Sequence, residues 1–339
     1  MTALRTLLAA SSLPVLAAPA DHLVFAPEPD SSVRKTLEIS MEFHLDDFVM
    51  SVGGEDVTEM MGADASRSFT GEISVGVTEK YVKSGDGRPL DLLRTFDDLS
   101  LEMSDGSESE EVDEFAELEG HTVRFLWSSD DGEYDVSFHE DEGDEGLLES
   151  LSDDMDLRLL LPGDEVSEGD TWEVQAVELF PLFFPGGLPG SSSEEDDDEI
   201  GGLIKDQLGE QFQTLVEDFV VRCTYKGSRS ADDVDVGEIV FEYDGQGSVD
   251  LVELIRSIAE TRDEAPDLDS LTATLDLDLK GEGTLLWNTG AGRVHTFEMT
   301  SEMGVSIGIA VTASFDGQEV PIELDAELSG NGQWSLAAD

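Results

Sequence analysis

Apolar side chains at every second position are the feature that most restricts what this chain can fold into. Leu271, Ala273, Leu275, Leu277 and Leu279 alternate with Thr272, Thr274, Asp276, Asp278 and Lys280. Successive side chains of a strand point to opposite faces, so this pattern puts one face in a core and the other in water. Val305, Ile307, Ile309, Val311, Ala313 and Phe315 repeat the device, as do Val320, Ile322, Leu324, Ala326 and Leu328 against Glu319, Pro321, Glu323, Asp325 and Glu327. With turn formers at Asn288-Thr289-Gly290, Asp316-Gly317 and Gly330-Asn331-Gly332, the spacing predicts an antiparallel meander of about five strands over residues 271–336.

The first half carries the same pattern with more interruption. Leu37, Ile39, Met41, Phe43 and Leu45 alternate with polar residues, and Ile73, Val75 and Val77 begin another strand. Val123, Phe125 and Trp127 face Tyr134, Val136 and Phe138 across Asp130-Asp131-Gly132, which reads as a hairpin. Ile239, Phe241 and Tyr243 add a strand that stops at Asp244-Gly245. Helical spacing occurs twice. Residues 200–219 place Leu203, Ile204, Leu208, Phe212, Leu215, Val216 and Phe219 on one stripe behind the acidic run 194–199, and residues 147–161 form a shorter candidate ending at Pro162. The fold class expected is mainly β (α+β): curved antiparallel sheets in the manner of a half-barrel, with one or two helices packed on the concave side. Residues 21–180 make an N-terminal β-rich half, 181–199 an acidic, Gly- and Ser-rich loop or linker, and 200–339 a C-terminal helix with the β-meander.

Residues 1–20 read as a signal peptide: Arg5, an apolar run over 7–16, then Ala18-Pro19-Ala20 as a cleavage site. The run is shorter than the ~20 residues that a membrane span requires, and no second candidate follows it, so no transmembrane segment is expected. Export with the single cysteine Cys223, which excludes an intramolecular disulfide, points to a bacterial periplasm or exterior.

The chain holds 79 acidic residues against 18 Lys and Arg, a formal charge of −61. Self-repulsion on that scale is relieved by salt, and it makes nucleic acid a poor partner. The acids are spread along the whole chain and fit a surface adapted to salty water; the other reading is a polyanion that collects cations or a basic protein.

No nucleophile elbow, zinc-protease helix, phosphate-binding glycine loop or cysteine-rich metal spacing occurs, so no catalytic residue, metal ligand or cofactor is assigned. Cys223 sits in an apolar run and reads as a core residue. The acidic stretches 105–111 and 194–199 offer oxygen ligands for calcium but lack the glycine of an EF-hand loop, and read as solvated loops. Lys80, Lys83, Arg88 and Arg94 cluster within fifteen positions; they suit either a small anion site or charge pairing with Asp86, Asp91, Asp97 and Asp98. The apolar segment Phe180-Pro181-Leu182-Phe183-Phe184, with Leu188, fits either the core or an exposed lip. Phe180, Phe183, Phe184 and Leu188 are therefore the candidate ligand residues.

Two stretches resemble segments of a known group. Leu161-Pro162-Gly163-Asp164-Glu165-Val166-Ser167-Glu168-Gly169-Asp170-Thr171-Trp172, and Gly281-Glu282-Gly283-Thr284-Leu285-Leu286-Trp287 with Gly290-Ala291-Gly292-Arg293, resemble uncharacterised exported bacterial proteins grouped as domains of unknown function. These are similar in outline to the curved-sheet carriers of lipoproteins and lipids in the periplasm. The resemblance implies a fold and carries over no functional residue. The functions open at this point are a non-enzymatic protein binding an apolar, lipid-like ligand in the cell envelope, a structural or protein-interaction module, and a hydrolase using paired carboxylates.

Overall fold

Thirteen strands, each antiparallel to its neighbours, join into one sheet. The computed structural model describes residues 20–61, 67–106, 109–140, 143–175, 180–187, 219–260, 267–315 and 318–339. In chain order the strands are β1 (Ser31–Val52), β2 (Glu55–Asp56), β3 (Ser68–Gly85), β4 (Arg88–Ser104), β5 (Ser109–Glu111), β6 (Thr122–Ser128), β7 (Glu133–Phe138), β8 (Thr171–Gln175), β9 (Val220–Ala231), β10 (Val234–Asp250), β11 (Asp267–Asn288), β12 (Arg293–Phe315) and β13 (Gln318–Ala338). Two short helices are described, α1 (Phe180–Phe183) and α2 (Val252–Glu260). The spatial order is β7-β6-β4-β3-β1-β13-β12-β11-β10-β9-β8, with β2 on β1 and β5 on β4. β7 and β8 do not pair with each other, so the sheet does not close into a barrel. β1 pairs with β13 from Lys35 opposite Ala338 to Val52 opposite Ile322, so strands from both halves of the chain share one sheet.

The alternation in the sequence becomes two different faces. Leu37, Ile39, Val75, Val77, Phe297, Met299, Trp334 and Leu336 are buried on the inner face, each contributing roughly 1.5–3 kcal/mol through burial. The residues between them point outward. Ser100, Ser74, Glu38, Ser335, Glu298, Thr284, Val240 and Thr224 stand opposite one another in a single row across eight strands.

The N-terminal described segment shows which way the sheet bends. Leu23 packs where a side chain on Gly237 of β10 would stand, and Phe25 meets Tyr81 of β3 edge to face at 5.7 Å. β3 and β10 are five strand spacings apart, about 24 Å along the sheet, whereas residues two apart in a chain are separated by about 7 Å. At this end the sheet therefore curls around its inner face. Residues 143–170 and 180–187 complete the cover, burying Met155, Leu157, Leu160 and Leu182.

Three sequence expectations change here. The strong periodicity of 271–336 resolves into three long strands rather than about five, because Gly330-Asn331-Gly332 is not a turn but the middle of β13. A side chain at Gly330 would meet the Phe43 ring at 2.5 Å, and one at Gly332 would meet the Trp334 ring at 2.3 Å. These glycines leave room for aromatic rings to lie flat on the inner face. Gly283 under Phe241 and Gly281 under Tyr243 do the same, and Gly245, taken as a strand end, lies inside β10 beneath the Phe219 ring.

The candidate helix over 147–161 is the third. Its span holds the end of one 3-10 turn (Glu145–Leu148) and a second (Arg158–Leu160), with Leu157 between them at φ 55°. Asp154 explains the break: its carboxylate accepts from the backbone N–H of Asp156 at 3.0 Å and of Arg158 at 3.0 Å, drawing the chain out of a helical path. The longer candidate over 200–219 lies outside the described residues, apart from Phe219.

Candidate functional site

The sheet carries a main core and a smaller second one, which meet through Val249 and Leu275. The main core includes Ile39, Phe297, Met299, Trp334 and Leu336 under the cover formed by 143–170 and 180–187. A second, small core joins Leu251 and Leu254 to Leu271 and Ala273, where α2 lies on β11. Among the described residues, the inner face over part of β1 and β13, with Ile307 of β12, belongs to neither core.

Register defines this floor. Phe43 stands opposite Phe69 on β3 and Gly330 on β13. The next rows are Leu45-Leu328-Val305-Leu277, Phe48-Ala326-Ile307-Leu275, Met50-Leu324-Ile309-Ala273 and Val52-Ile322-Val311-Leu271. A register shift between Leu45 and Asp47 keeps the pattern inward: the odd-numbered series hands over to Phe48, Met50 and Val52. The three strands β1, β13 and β12, about 4.8 Å apart, and five rows about 6.8 Å apart span an area on the order of 260 Å². Phe43, Leu45, Phe48, Met50, Leu324, Leu328 and Ile307 are only half-buried, and none belongs to either core. At its side Phe69 is 40% and Met103 54% exposed.

Walls stand at both ends. Among the predicted ligand residues, Phe183 forms the upper margin: its ring lies 5.4 Å from Trp334 and 6.0 Å from Tyr243. The Trp334 indole N–H donates to the Phe183 carbonyl at 2.8 Å. Tyr243 is in register with Gly281, Ser301, Gly332 and Met41, one row above Phe43. Phe184 is half-buried against the main core; Phe180 opens α1, and Leu188 lies outside the described residues. Phe219 closes a corner over Gly245, and α2 closes the far end. The segment 180–184 was legible as apolar and out of place for a linker. The floor itself was missed, since its residues have the same alternation as the covered core and only the cover differs.

The cationic cluster of the sequence does not assemble as one site. Arg94 turns inward and is buried, Lys80 pairs outward with Asp30 at 3.4 Å, and the Arg88 guanidinium lies 4.1 Å from the centroid of the Trp127 ring. Inside, Lys35, Glu79, Tyr81, Arg94 and Asp156 form a buried network under the cover. Lys35 Nζ lies 2.7 Å from Glu79 and 2.9 Å from Asp156. The Tyr81 hydroxyl is 2.7 Å from Asp156 and 3.0 Å from Glu79. Burial, and then these two carboxylates, raise the Tyr81 phenol well above its ordinary range. Burial pushes the Glu79 carboxyl upward, but the charges of Lys35 and Arg94 and their hydrogen bonds outweigh it and hold the group at about 2. A carboxyl so depressed stays ionised, which is the opposite of what a general acid requires. Two positive and two negative groups balance here, and Arg94 also donates to the carbonyls of Ser152 and Gly186. The network fastens the cover to the sheet.

On the opposite face a polar furrow of about 1320 Å³ crosses the strands, lined by Glu38, Glu72, Glu242, Glu282, Glu298 and Arg222 among others. Among the described residues no group of three or more His, Cys, Asp or Glu gathers to hold a metal ion, and no helix is long and apolar enough to cross a membrane. Comparison of the chain with protein-family models gives no match, and comparison with curated proteins gives none either.

Proposed function

We propose that this is an exported, non-catalytic binding protein of a bacterial periplasm or exterior, whose inner apolar floor takes an apolar, lipid-like small molecule. The observation that supports this is the half-buried apolar stretch of β1 and β13 that, among the described residues, belongs to neither core, with Phe183 at one end and α2 at the other. Ligand sites are characteristically mostly apolar, as this stretch is. Self-association through the floor would bring two chains of charge −61 together, which long-range repulsion opposes. The outline similarity to curved-sheet lipid carriers agrees with the reading without contributing to it.

The test is native mass spectrometry of the protein purified from its own host in volatile salt. Extra mass that disappears on denaturation and matches a lipid is expected, and Met50→Gln, which places an amide in the floor, should reduce its occupancy. A bare mass in every preparation overturns the proposal. The acidic furrow on the outer face favours a second reading, an interaction module for a basic protein, which predicts a bare mass together with a partner recovered by salt-sensitive pull-down.

A further inference from the structure

We infer that the buried network is a site of self-modification, in which Lys35 and Asp156 join in an amide bond that ties the cover to β1. Lys35 Nζ lies 2.9 Å from Asp156 Oδ1 and 2.7 Å from Glu79 Oε2, and all three residues are buried. The Phe25 ring packs on Tyr81, and Met155 and Leu157, on either side of Asp156, are buried in the cover. An amine and a carboxyl group fixed in contact and shut off from water react as though present at concentrations on the order of 10⁵ M or more.

The reaction needs no further reagent. Nζ gives up two of its three protons, the bond from Nζ to Asp156 Cγ forms, the Cγ–Oδ2 bond breaks, and that oxygen leaves with both protons as one water. A hydrogen-bonded path joins the amine to the leaving oxygen. Glu79 Oε2 touches Nζ, and the Tyr81 hydroxyl lies 3.0 Å from Glu79 Oε2 and 2.7 Å from Asp156 Oδ2. Oδ1 stays as the amide oxygen and keeps the Val294 N–H, which donates to it at 3.2 Å and stabilises the charge that develops there as the amine adds. Asp156 rather than Glu79 is the partner because Arg94 grips the other oxygen of Glu79 with two nitrogens. A bond to Glu79 would leave that buried guanidinium without its carboxylate, whereas a bond to Asp156 leaves Arg94 and Glu79 as a balanced pair.

Lys35 and Arg94 hold Glu79 ionised, so passing a proton through it is uphill and the bond forms slowly. The newly folded chain therefore holds the ion pair, and the amide accumulates with age. Its effect is that of a disulfide, in a chain whose single cysteine cannot make one within itself.

The test is the intact mass of the full chain aged in the folded state and, separately, in 8 M urea, with both samples denatured before measurement. The folded sample should become lighter by one water, and its digest should contain the peptides of Lys35 and Asp156 as one joined species. Asp-Gly pairs such as Asp86-Gly87 also shed water by cyclising on the backbone, so the joined peptide is the deciding readout. Tyr81→Phe, which keeps the ring and interrupts the proton path, should slow the joining at least tenfold. Asp156→Ala should abolish it. Absence of the joined peptide after weeks of folded wild-type protein just below its thermal midpoint overturns the inference, whatever the variants do. Joining of Lys35 to another residue, or joining that proceeds equally in urea, overturns it as well.

Discussion

Arg94 and Glu79 meet in complete burial, with Nε at 2.8 Å and a terminal guanidinium nitrogen at 2.6 Å from the same carboxylate oxygen. Lys35 occupies the other oxygen. Removing the charge of Glu79 while keeping its shape leaves two buried cations facing Asp156 alone. Glu79→Gln is expected to cost about 3–5 kcal/mol, the usual penalty for breaking a buried ion pair from one side. A urea titration checks this: the midpoint should fall while the slope stays unchanged.

The same group gives a pH signature. The folded carboxyl of Glu79 titrates at about 2, below its ordinary 4.5. Its contribution is therefore complete above pH 4.5 and is lost as the pH falls through that value towards 2. Protonation of the many surface carboxylates acts in the opposite direction by relieving repulsion, so the wild type alone does not isolate the effect. The difference in urea midpoint between wild type and Glu79→Gln should be constant from pH 7 to 5 and shrink steadily below 4.5. A constant difference down to pH 2.5 would contradict this account.

Cys223 is fully buried on the inner face of β9, and burial pushes its thiol up to about 12. Since the thiolate is the reactive form, a thiol reagent at pH 8 should leave the folded protein unmodified. In 8 M urea it should label one site per chain. Rapid labelling under native conditions would show that β9 opens readily.

Gly283 lies beneath the Phe241 ring and against the next strand. A Cβ there would stand 2.3 Å from that ring and 2.5 Å from the Glu298 carbonyl oxygen. Because one of these neighbours is backbone, Gly283→Ala cannot be accommodated by a side-chain rotation. A loss of about 1–3 kcal/mol is expected, as for other overpacked sites, and is read from the thermal midpoint. Gly290→Ala, near only the Asn288 side chain at 3.6 Å, is the matched control and should have little effect.

A charge of −61 makes salt a stabiliser. The thermal midpoint should rise by several degrees between 0.1 and 1 M sodium chloride. Exposed pairs such as Arg34–Asp98 weaken over that range, but such pairs contribute at most about 1 kcal/mol each. A midpoint that falls with salt would mean that attraction rather than repulsion dominates the surface.

Much of the sheet was legible because period-two alternation survives wherever one face is covered and the other wet. Leu37, Ile39, Val123, Phe125 and Leu285 are buried as the pattern requires, and Asp130-Asp131-Gly132 does turn β6 into β7, with Gly132 at φ 78°. Glycine was the ambiguous residue. It marks turns in sequence, but Gly245, Gly330 and Gly332 are gaps for rings of neighbouring residues, information that no local pattern contains. The same limit hid the buried network, since Lys35, Glu79 and Arg94 stand at inward strand positions where a charge reads only as a break in alternation. It also hid the floor, because Met50 and Leu324 differ from Ile39 and Trp334 only in what lies over them. The segment at Phe183 was recognised by its composition, and its position beside Trp334 required the fold.

β13 lies between β1 and β12, so the strand that comes last in chain order is the keystone of the arch. Lys35 must wait for Ala338, some three hundred residues later, before the middle of the sheet exists. Pairing over such separations is slow, and until it occurs β1 and β12 each present a long unpaired edge to any neighbouring chain. A chain interrupted before residue 318 would be left as two half-sheets with their inner edges open, and those edges carry little charge to keep such fragments apart: β12 holds only Glu298 and Glu302 against Arg293.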